Sequence, residues 1–270
     1  MKITFIGGGN MATALIGGLK KQGFSAAAIQ VVEPIEETRA RLTETFGVRC
    51  TPALDTAALD CEVLMLAVKP QVMKEALAPA AGKLSGQLVI SIAAGLKLAD
   101  ISRWLGGYAR LVRCMPNTPA LIGAGVTGLY AGPSVDHEGR AIAEKILEAV
   151  GRTLWIDDEA LMDVITAVSG SGPAYVFYFI EALANAGTSL GLPAETARLL
   201  AVETFLGAAR LAADSREPLD TLRQRVTSKG GTTAAALAVF EREALATIIA
   251  RGVEAASARG RELSAQLGQD

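Results

Sequence analysis

The stretch Lys2-Ile3-Thr4-Phe5-Ile6-Gly7-Gly8-Gly9-Asn10-Met11-Ala12 decides the fold of the first half of this chain. Its β-branched and aromatic residues favour a strand through Ile6, three glycines break it, and Met11 to Lys21 reads as helix. In that order the three elements make a dinucleotide cradle. Gly7 can take the tight turn, Gly9 lets backbone approach a pyrophosphate, and the small Ala12 in the third slot lets the helix pack closely on the strand. The free N–H groups and the dipole of the helix N-terminus then hold the anion. A glycine-rich turn by itself is a common strand-to-helix connection. Here it is trailed roughly 20 residues on by Ile29-Gln30-Val31-Val32-Glu33, a second strand that ends in an acid. That context favours the nucleotide reading.

Strand-like runs alternate with helical ones outward to about residue 155. Ile3–Ile6, Ile29–Glu33, Val63–Ala67, Leu88–Ile92, Leu111–Met115 and Val126–Tyr130 read as strands, with Thr153–Ile156 as one more. Helical patterns such as Glu36–Phe46 and Glu138–Ala149 lie between several of them. Alternation of this kind predicts a mostly parallel sheet with helices on both faces, a fold of the α/β class. Beyond Asp157-Asp158-Glu159 the strand signals stop. Ala-rich periodic segments follow at Leu161–Val168, Pro173–Leu190, Pro193–Asp214, Pro218–Thr227 and Leu245–Leu267, punctuated by Gly and Pro. The expected organisation is a dinucleotide-binding Rossmann-type domain over 1–156 and an all-helical domain over 157–270.

Composition excludes several alternatives. The chain has 270 residues, half of them hydrophobic and 20% charged, enough for two moderate cores. Its net charge of −2 leaves no basic footprint for nucleic acid. Cys50, Cys61 and Cys114 are scattered, odd in number and without metal-ligand spacing, so free thiols are expected. No charged segment followed by an apolar core and cleavage site is present at the N-terminus, and a cytoplasmic protein is expected. Ala174–Ile180 is apolar, but Glu181 and Asn185 interrupt it well short of the roughly 20 residues a bilayer crossing needs. A helix that is apolar on all sides must be covered on all sides, and a second subunit is the natural cover.

Ligands of parallel sheets bind beyond the carboxyl ends of the strands. Three loops stand there, Ala67-Val68-Lys69-Pro70, Ile92-Ala93-Ala94-Gly95 and Met115-Pro116-Asn117-Thr118-Pro119. All are small or rigid, which suits backbone lying against a cofactor and equally suits ordinary turns. In the helical half, Val226-Thr227-Ser228-Lys229-Gly230-Gly231-Thr232-Thr233 ends one helix and starts another. Its hydroxyls and exposed glycine N–H groups at a helix N-terminus fit a carboxylate, although a capped turn would look the same. Val168-Ser169-Gly170-Ser171-Gly172-Pro173-Ala174-Tyr175 is a similar small-residue turn.

Taken together, Ile6–Ala12, Ala67–Pro70, Ser91–Gly95, Met115–Ala120, Val168–Tyr175 and Thr227–Thr233 resemble the pyrroline-5-carboxylate reductases, over nearly the whole chain. The last two motifs are the specific ones. The resemblance implies a Rossmann domain, a helical C-terminal domain that builds an intertwined dimer or an assembly of dimers, and an active site where the halves meet. It implies NADPH or NADH as cofactor and reduction of the cyclic imine 1-pyrroline-5-carboxylate to L-proline, the last step of proline biosynthesis. By the same carry-over Thr233 is catalytic, its hydroxyl donating to the ring nitrogen. Ser228, Gly230, Gly231 and Thr232 hold the substrate carboxylate, with Asn117 and Ser171 joining the substrate-binding set. Ile6, Gly7, Gly8, Gly9, Asn10, Met11 and Ala12, together with Glu33, Ala67, Val68, Lys69, Pro70, Ala93 and Ala94, line the cofactor.

The chemistry agrees with a site lacking a strong side-chain acid, because hydride addition to an imine requires only that the nitrogen be protonated or hydrogen-bonded. Positioning and local electrostatics then do most of the catalysis. The only histidine, His137, lies at a polar helix start and is expected to be solvated. Two departures from the family pattern matter. Lys229 stands where many members have Pro and adds a cation near the presumed carboxylate site. Glu33 stands where NADPH-preferring members commonly carry a small hydroxyl residue, and an acid there would bind a free ribose 2′-hydroxyl and repel a 2′-phosphate. Arg39 and Arg41 on the following helix could compensate, so the choice between NADPH and NADH stays open. The rival readings are a β-hydroxyacid dehydrogenase, which would need a catalytic lysine motif not found in the helical half, and a non-catalytic nucleotide sensor. Neither gives the 227–233 turn a role.

Overall fold

Strand β1 (Ile3–Ile6) is buried along its whole length, as a parallel strand covered on both faces must be. The structure, a computed structural model, describes residues 1–269. β1 pairs in parallel with β2 (Ile29–Val32) on one side and with β4 (Val63–Leu66) on the other. Beyond them lie β3 (Arg49–Thr51), β5 (Leu88–Ser91), β6 (Leu111–Met115), β7 (Gly125–Ala131) and β8 (Gly151–Trp155). The order is β3-β2-β1-β4-β5-β6-β7-β8. Its first six strands run as a doubly wound sheet whose order reverses between β1 and β4, the place where such sheets hold nucleotides. The Rossmann-type reading of the first half therefore stands. Two features depart from the strands read in the sequence. The three-residue β3 was not among them, and β7 runs antiparallel to β6, because nine residues and a single 3-10 turn join the two instead of a crossover helix.

Side chains alternate across the sheet with period two. Phe5 and Met65 enter one apolar cluster with Leu15, Val31 and Ile90, whereas Ile6, Leu64 and Leu66 enter the other with Met73, Val89 and Ile101. Burial on both faces fixes the register, since a slip of one residue would exchange the faces. The loops at the carboxyl ends of β1, β4 and β5 are thereby held in fixed relation.

The chain forms two compact units, one of Met1–Ser171 with the segment from Ala256 onward, the other of Gly172–Ala255. In the first, helices α1 (Asn10–Lys21), α2 (Glu36–Phe46), α3 (Met73–Leu77), α4 (Leu98–Trp104) and α5 (His137–Leu147) flank the sheet. Then α6 (Met162–Ile165) runs into one π-helical turn, Thr166–Gly170. The end of α11 (Leu245–Leu267) returns to α4, where Arg103 Nη2 donates to Gly268 O at 2.7 Å.

The second unit comprises α7 (Gly172–Ser189), α8 (Ala194–Asp214), α9 (Leu219–Arg225), α10 (Thr232–Arg242) and the first part of α11. Among its described residues, only Ala197 and Ala201 count as buried. The apolar helix α7 has none, and Phe177 and Tyr178 are 66% and 69% exposed. Such a surface marks an interface. No helix among the described residues is long and apolar enough to cross a membrane.

Candidate active site

Gly7 sits in the crevice at the switch point. Its N–H donates to Val32 O at 2.8 Å, and Ala67 N donates to Ile6 O at 2.8 Å, so the loop after β1 is bound to both neighbouring strand ends. A φ of +99° and a would-be Cβ 2.6 Å from Ala67 O leave room for glycine only. Gly9 is different. It is exposed, and a Cβ there would meet nothing within 4 Å. Helix α1 starts from Gly9 with no side-chain cap, and its first backbone bond joins Thr13 N to Gly9 O. The N–H groups of Asn10, Met11 and Ala12 therefore have no helical acceptor. That arrangement fits a dinucleotide's pyrophosphate and would place it on the helix dipole.

Around this cradle lie the other expected cofactor residues. Ile6, Gly8 and Ala12 are buried beneath it, and Ala67, Val68 and Pro70 are half-buried past β4. Lys69 is exposed with no ion pair among the described residues, so its ammonium is solvated. Past β5, Ala93 is buried, its N–H donating to Ser91 Oγ at 3.3 Å, and Ala94 is exposed. Glu33 faces the loop and not the solvent. Its Oε2 accepts from Gly8 N at 2.9 Å and its Oε1 from Ile35 N at 3.0 Å.

The second constellation lies in the other unit. Thr227 Oγ1 donates to Arg223 O at 2.6 Å and closes the end of α9. Gly230 takes φ +72°, and Gly231 N donates to Ser228 O at 3.0 Å. The N–H of Gly231 is thus taken inside the turn, contrary to the expectation that it is open. What Gly231 contributes is space, because a Cβ there would collide with Ser228 Oγ. Helix α10 then begins with no side-chain cap, leaving the N–H groups of Thr232, Thr233 and Ala234 without helical acceptors. Ser228, Lys229 and Thr232 are exposed and Thr233 is half-buried. The hydroxyls of Ser228, Thr232 and Thr233 form no hydrogen bond among the described residues.

Two further residues expected at the substrate have structural partners. Asn117 is buried, its Nδ2 donating to Ser169 O at 3.1 Å and its Oδ1 accepting from Val126 N at 3.0 Å. It ties the end of β6 to β7 and to the π-turn. Ser171 closes that π-turn through its N–H to Thr166 O at 2.8 Å, while its own hydroxyl is unbonded. Sequence reasoning passed over Arg113, a cation in the apolar run Leu111–Met115. Its side chain is 3% exposed and pairs with Glu159 at 3.1 Å and Asp163 at 3.5 Å. A charge inside a strand-forming run was the available signal.

Other reactive groups are set aside by their surroundings. His137 is exposed at the first position of α5, next to its cap Asp136. The three cysteines are unpaired. Burial pushes the thiols of Cys61 and Cys114 above the usual range, which keeps them protonated and unreactive. Among the described residues no group of His, Cys, Asp and Glu could hold a metal.

A cradle of open amides at the switch point of a doubly wound sheet is the arrangement of a dinucleotide-binding protein. A family model described as pyrroline-5-carboxylate reductase dimerisation matches residues 159–263, and one described as NADP oxidoreductase, coenzyme F420-dependent, matches residues 2–95. The chain belongs to the pyrroline-5-carboxylate reductase family. It is 47% identical to the pyrroline-5-carboxylate reductase of Pseudomonas aeruginosa, over 99% of this chain and 98% of that one. It is 44% identical to the enzyme of Haemophilus influenzae, over 97% of each. Among solved structures, a pyrroline-5-carboxylate reductase from Coxiella burnetii superposes with a TM-score of 0.93 at 43% identity, covering 97% of this chain and 98% of the other. The Plasmodium falciparum enzyme, solved with NADP bound, gives 0.87 at 29% identity over 98% of both. The exposed apolar helices of the second unit are those of a homo-oligomer, within the segment that matches the dimerisation model.

Proposed function

We propose that the turn Ser228–Thr233 and the glycine loop Ile6–Ala12 carry the NAD(P)H-dependent reduction of 1-pyrroline-5-carboxylate to L-proline. The bound nicotinamide supplies the hydride. The glycine loop and the first amides of α1 hold the pyrophosphate, and the residues 67–70 and 93–94 flank it. The open amides of Thr232, Thr233 and Ala234, with the exposed hydroxyls of Ser228 and Thr232, hold the substrate carboxylate against the positive end of the α10 dipole. Thr233 donates its hydroxyl to the ring nitrogen, whose basicity rises as electron density arrives from the carbon. The single observation that carries this assignment is a hydroxyl-rich helix start whose donors have no partner among the described residues. Residues 1–156 bind the dinucleotide on this reading, and 157–270 bind substrate and dimerise. Three unpaired cysteines support a reducing compartment, hence the cytoplasm.

The test is loss of reduced-cofactor absorbance when purified protein meets 1-pyrroline-5-carboxylate, with NADPH and NADH in parallel. Turnover that appears only with the imine supports the reading. Nucleotide binding without turnover would favour a sensor.

A further inference from the structure

The first amide of α4 is capped from a distance. Leu98 N donates to Glu159 Oε1 at 2.8 Å, across 61 residues of chain. The same oxygen accepts from Arg113 Nη1 at 3.1 Å, and Arg113 Nη2 lies 3.5 Å from Asp163 Oδ1. The Arg113 side chain is 3% exposed, so its charge must be matched inside the protein, and matching it orients the Glu159 carboxylate. The backbone at Glu159 is fixed as well, because Asp158 Oδ1 caps its 3-10 turn by accepting from Ala160 N at 2.9 Å. What Leu98 terminates is the loop 92–97, which carries Ala93 and Ala94 from the end of β5 into α4. At the near end of that loop Ile92 N donates to Leu66 O at 3.1 Å and Ala93 N to Ser91 Oγ at 3.3 Å. In its middle Gly95 takes φ +75°, and Leu263 and Leu267 of α11 come within 3.6 Å of where a Cβ would stand. At the far end Lys97 N reaches Asp100 Oδ2 only at 3.4 Å, whereas the bond from Leu98 to Glu159 is short and charge-assisted.

We infer that Glu159 is a positioning residue for the cofactor: its carboxylate, oriented by Arg113, sets the far end of the loop 92–97 and with it the surface that Ala93 and Ala94 offer the dinucleotide. The inference rests on the reading of 93–94 as residues that flank the cofactor. Glu159 acts through Leu98 N and not by contact with a ligand. A loop set in this way affects NADPH and NADH alike.

Calorimetric titration of the full chain with NADPH and with NADH, beside thermal unfolding, tests it. Glu159→Ala removes the acceptor of Leu98 N and half the compensation of Arg113, so the Tm falls and both nucleotides bind about ten-fold more weakly. Glu159→Gln keeps an oxygen for Leu98 N and gives up only the charge, so the Tm still falls while both affinities stay within about three-fold of the original. Thr4→Val is the control for instability. It removes the buried bond from Thr4 Oγ1 to Ala58 O at 2.7 Å and lowers the Tm with nucleotide affinity unchanged. Full affinity in Glu159→Ala, equal weakening by Glu159→Gln and Glu159→Ala, or weakening by Thr4→Val in step with its Tm would each overturn the inference. Ala94→Leu separates that failure from failure of the underlying reading, since Ala94 is exposed and a larger side chain there obstructs a nucleotide directly. Weakening by Ala94→Leu beside a fully competent Glu159→Ala would overturn the inference alone. Full affinity in both variants would take down the cofactor assignment of 93–94 with it.

Discussion

Helices α1 and α10 both start from a glycine with extended backbone, Gly9 at φ −69° and Gly231 at φ −82°, and neither has a side-chain cap. Helix α5, by contrast, is capped by Asp136, whose carboxylate accepts from Gly139 N at 2.8 Å. Leaving the first amides of two helices open at a glycine cap costs only about 0.3 kcal/mol each relative to a good side-chain cap, a small cost that makes sense where a ligand supplies the acceptor. The two starts differ in what holds them. The turn into α1 is bonded to β2 through Gly7 and Glu33 and lies over buried strand ends. The turn into α10 is held, among the described residues, by local bonds, Thr227 to Arg223 and Gln224 and Gly231 to Ser228, and most of it is exposed. One cradle is therefore built by the core of the sheet and the other by a few hydrogen bonds within the turn. Nucleotide binding needs the stiffer frame, and the substrate turn belongs to the less protected part of the molecule.

The largest effect expected from breaking the second cradle is on chemistry. Thr233→Ala should lower kcat about 100-fold, in line with removal of a single positioned donor, and leave NADPH affinity unchanged. Thr233→Ser should restore most of the rate. A Thr233→Ala enzyme within a factor of about three of the original, by the same measure, would take the ring nitrogen away from this hydroxyl.

The first cradle can be divided by two glycines. Gly7→Ala puts a methyl against Ala67 O at a positive φ, with an expected cost of about 3 kcal/mol from strain and overpacking. Thermal unfolding would register it as a clear fall in Tm. Gly9→Ala puts a methyl into open space, so the Tm should hold while nucleotide affinity falls about ten-fold through collision with the pyrophosphate. The reverse pattern would show that Gly9 is structural.

Asn117→Ala separates frame from ligand contact. Removing its amide takes away the hydrogen bonds it makes with part-buried Val126 N and Ser169 O, a loss of about 1 kcal/mol in stability. If Asn117 also touches substrate, KM rises in the variant. A change confined to Tm assigns it to the frame.

The contrast between the cradles also explains what could be read from the chain. Strand–glycine–helix grammar and buried strand patterning are local, so β1, α1, α2 and the order of alternation were legible from residues such as Ile3–Ala12 and Glu36–Phe46. The direction of β7 was not, because Gly125–Ala131 has the same alternation whichever way it pairs. Neither was β3, three residues long with Arg49 at its start. The end of α11 carries an ordinary helical period that does not say which surface Ser257 and Ser264 will be buried against. At the site, residue types were legible and orientations were not. Glu33 turned inward, Asn117 was taken up by β7 and the π-turn, and the N–H of Gly231 closed its own turn. Each outcome depends on a backbone amide brought near by tertiary structure, which no spacing rule encodes.

The smallest effect separates the cradles by charge. The glycine loop has Lys69 as its nearest basic residue in sequence beyond β4, and its donors are neutral amides. The α10 turn carries Lys229, exposed and without an ion pair among the described residues, one residue before Gly230. A solvated cation contributes only weakly to binding a carboxylate, because water screens it at the surface. Lys229→Ala should therefore raise the substrate KM about three-fold at low salt, with kcat unaltered, and the difference should fade in about 0.5 M salt. A KM indifferent to Lys229 at every ionic strength would leave the open amides and hydroxyls of the turn as the whole of the carboxylate site. The two helix starts would then work by the same means, dipole and N–H alone.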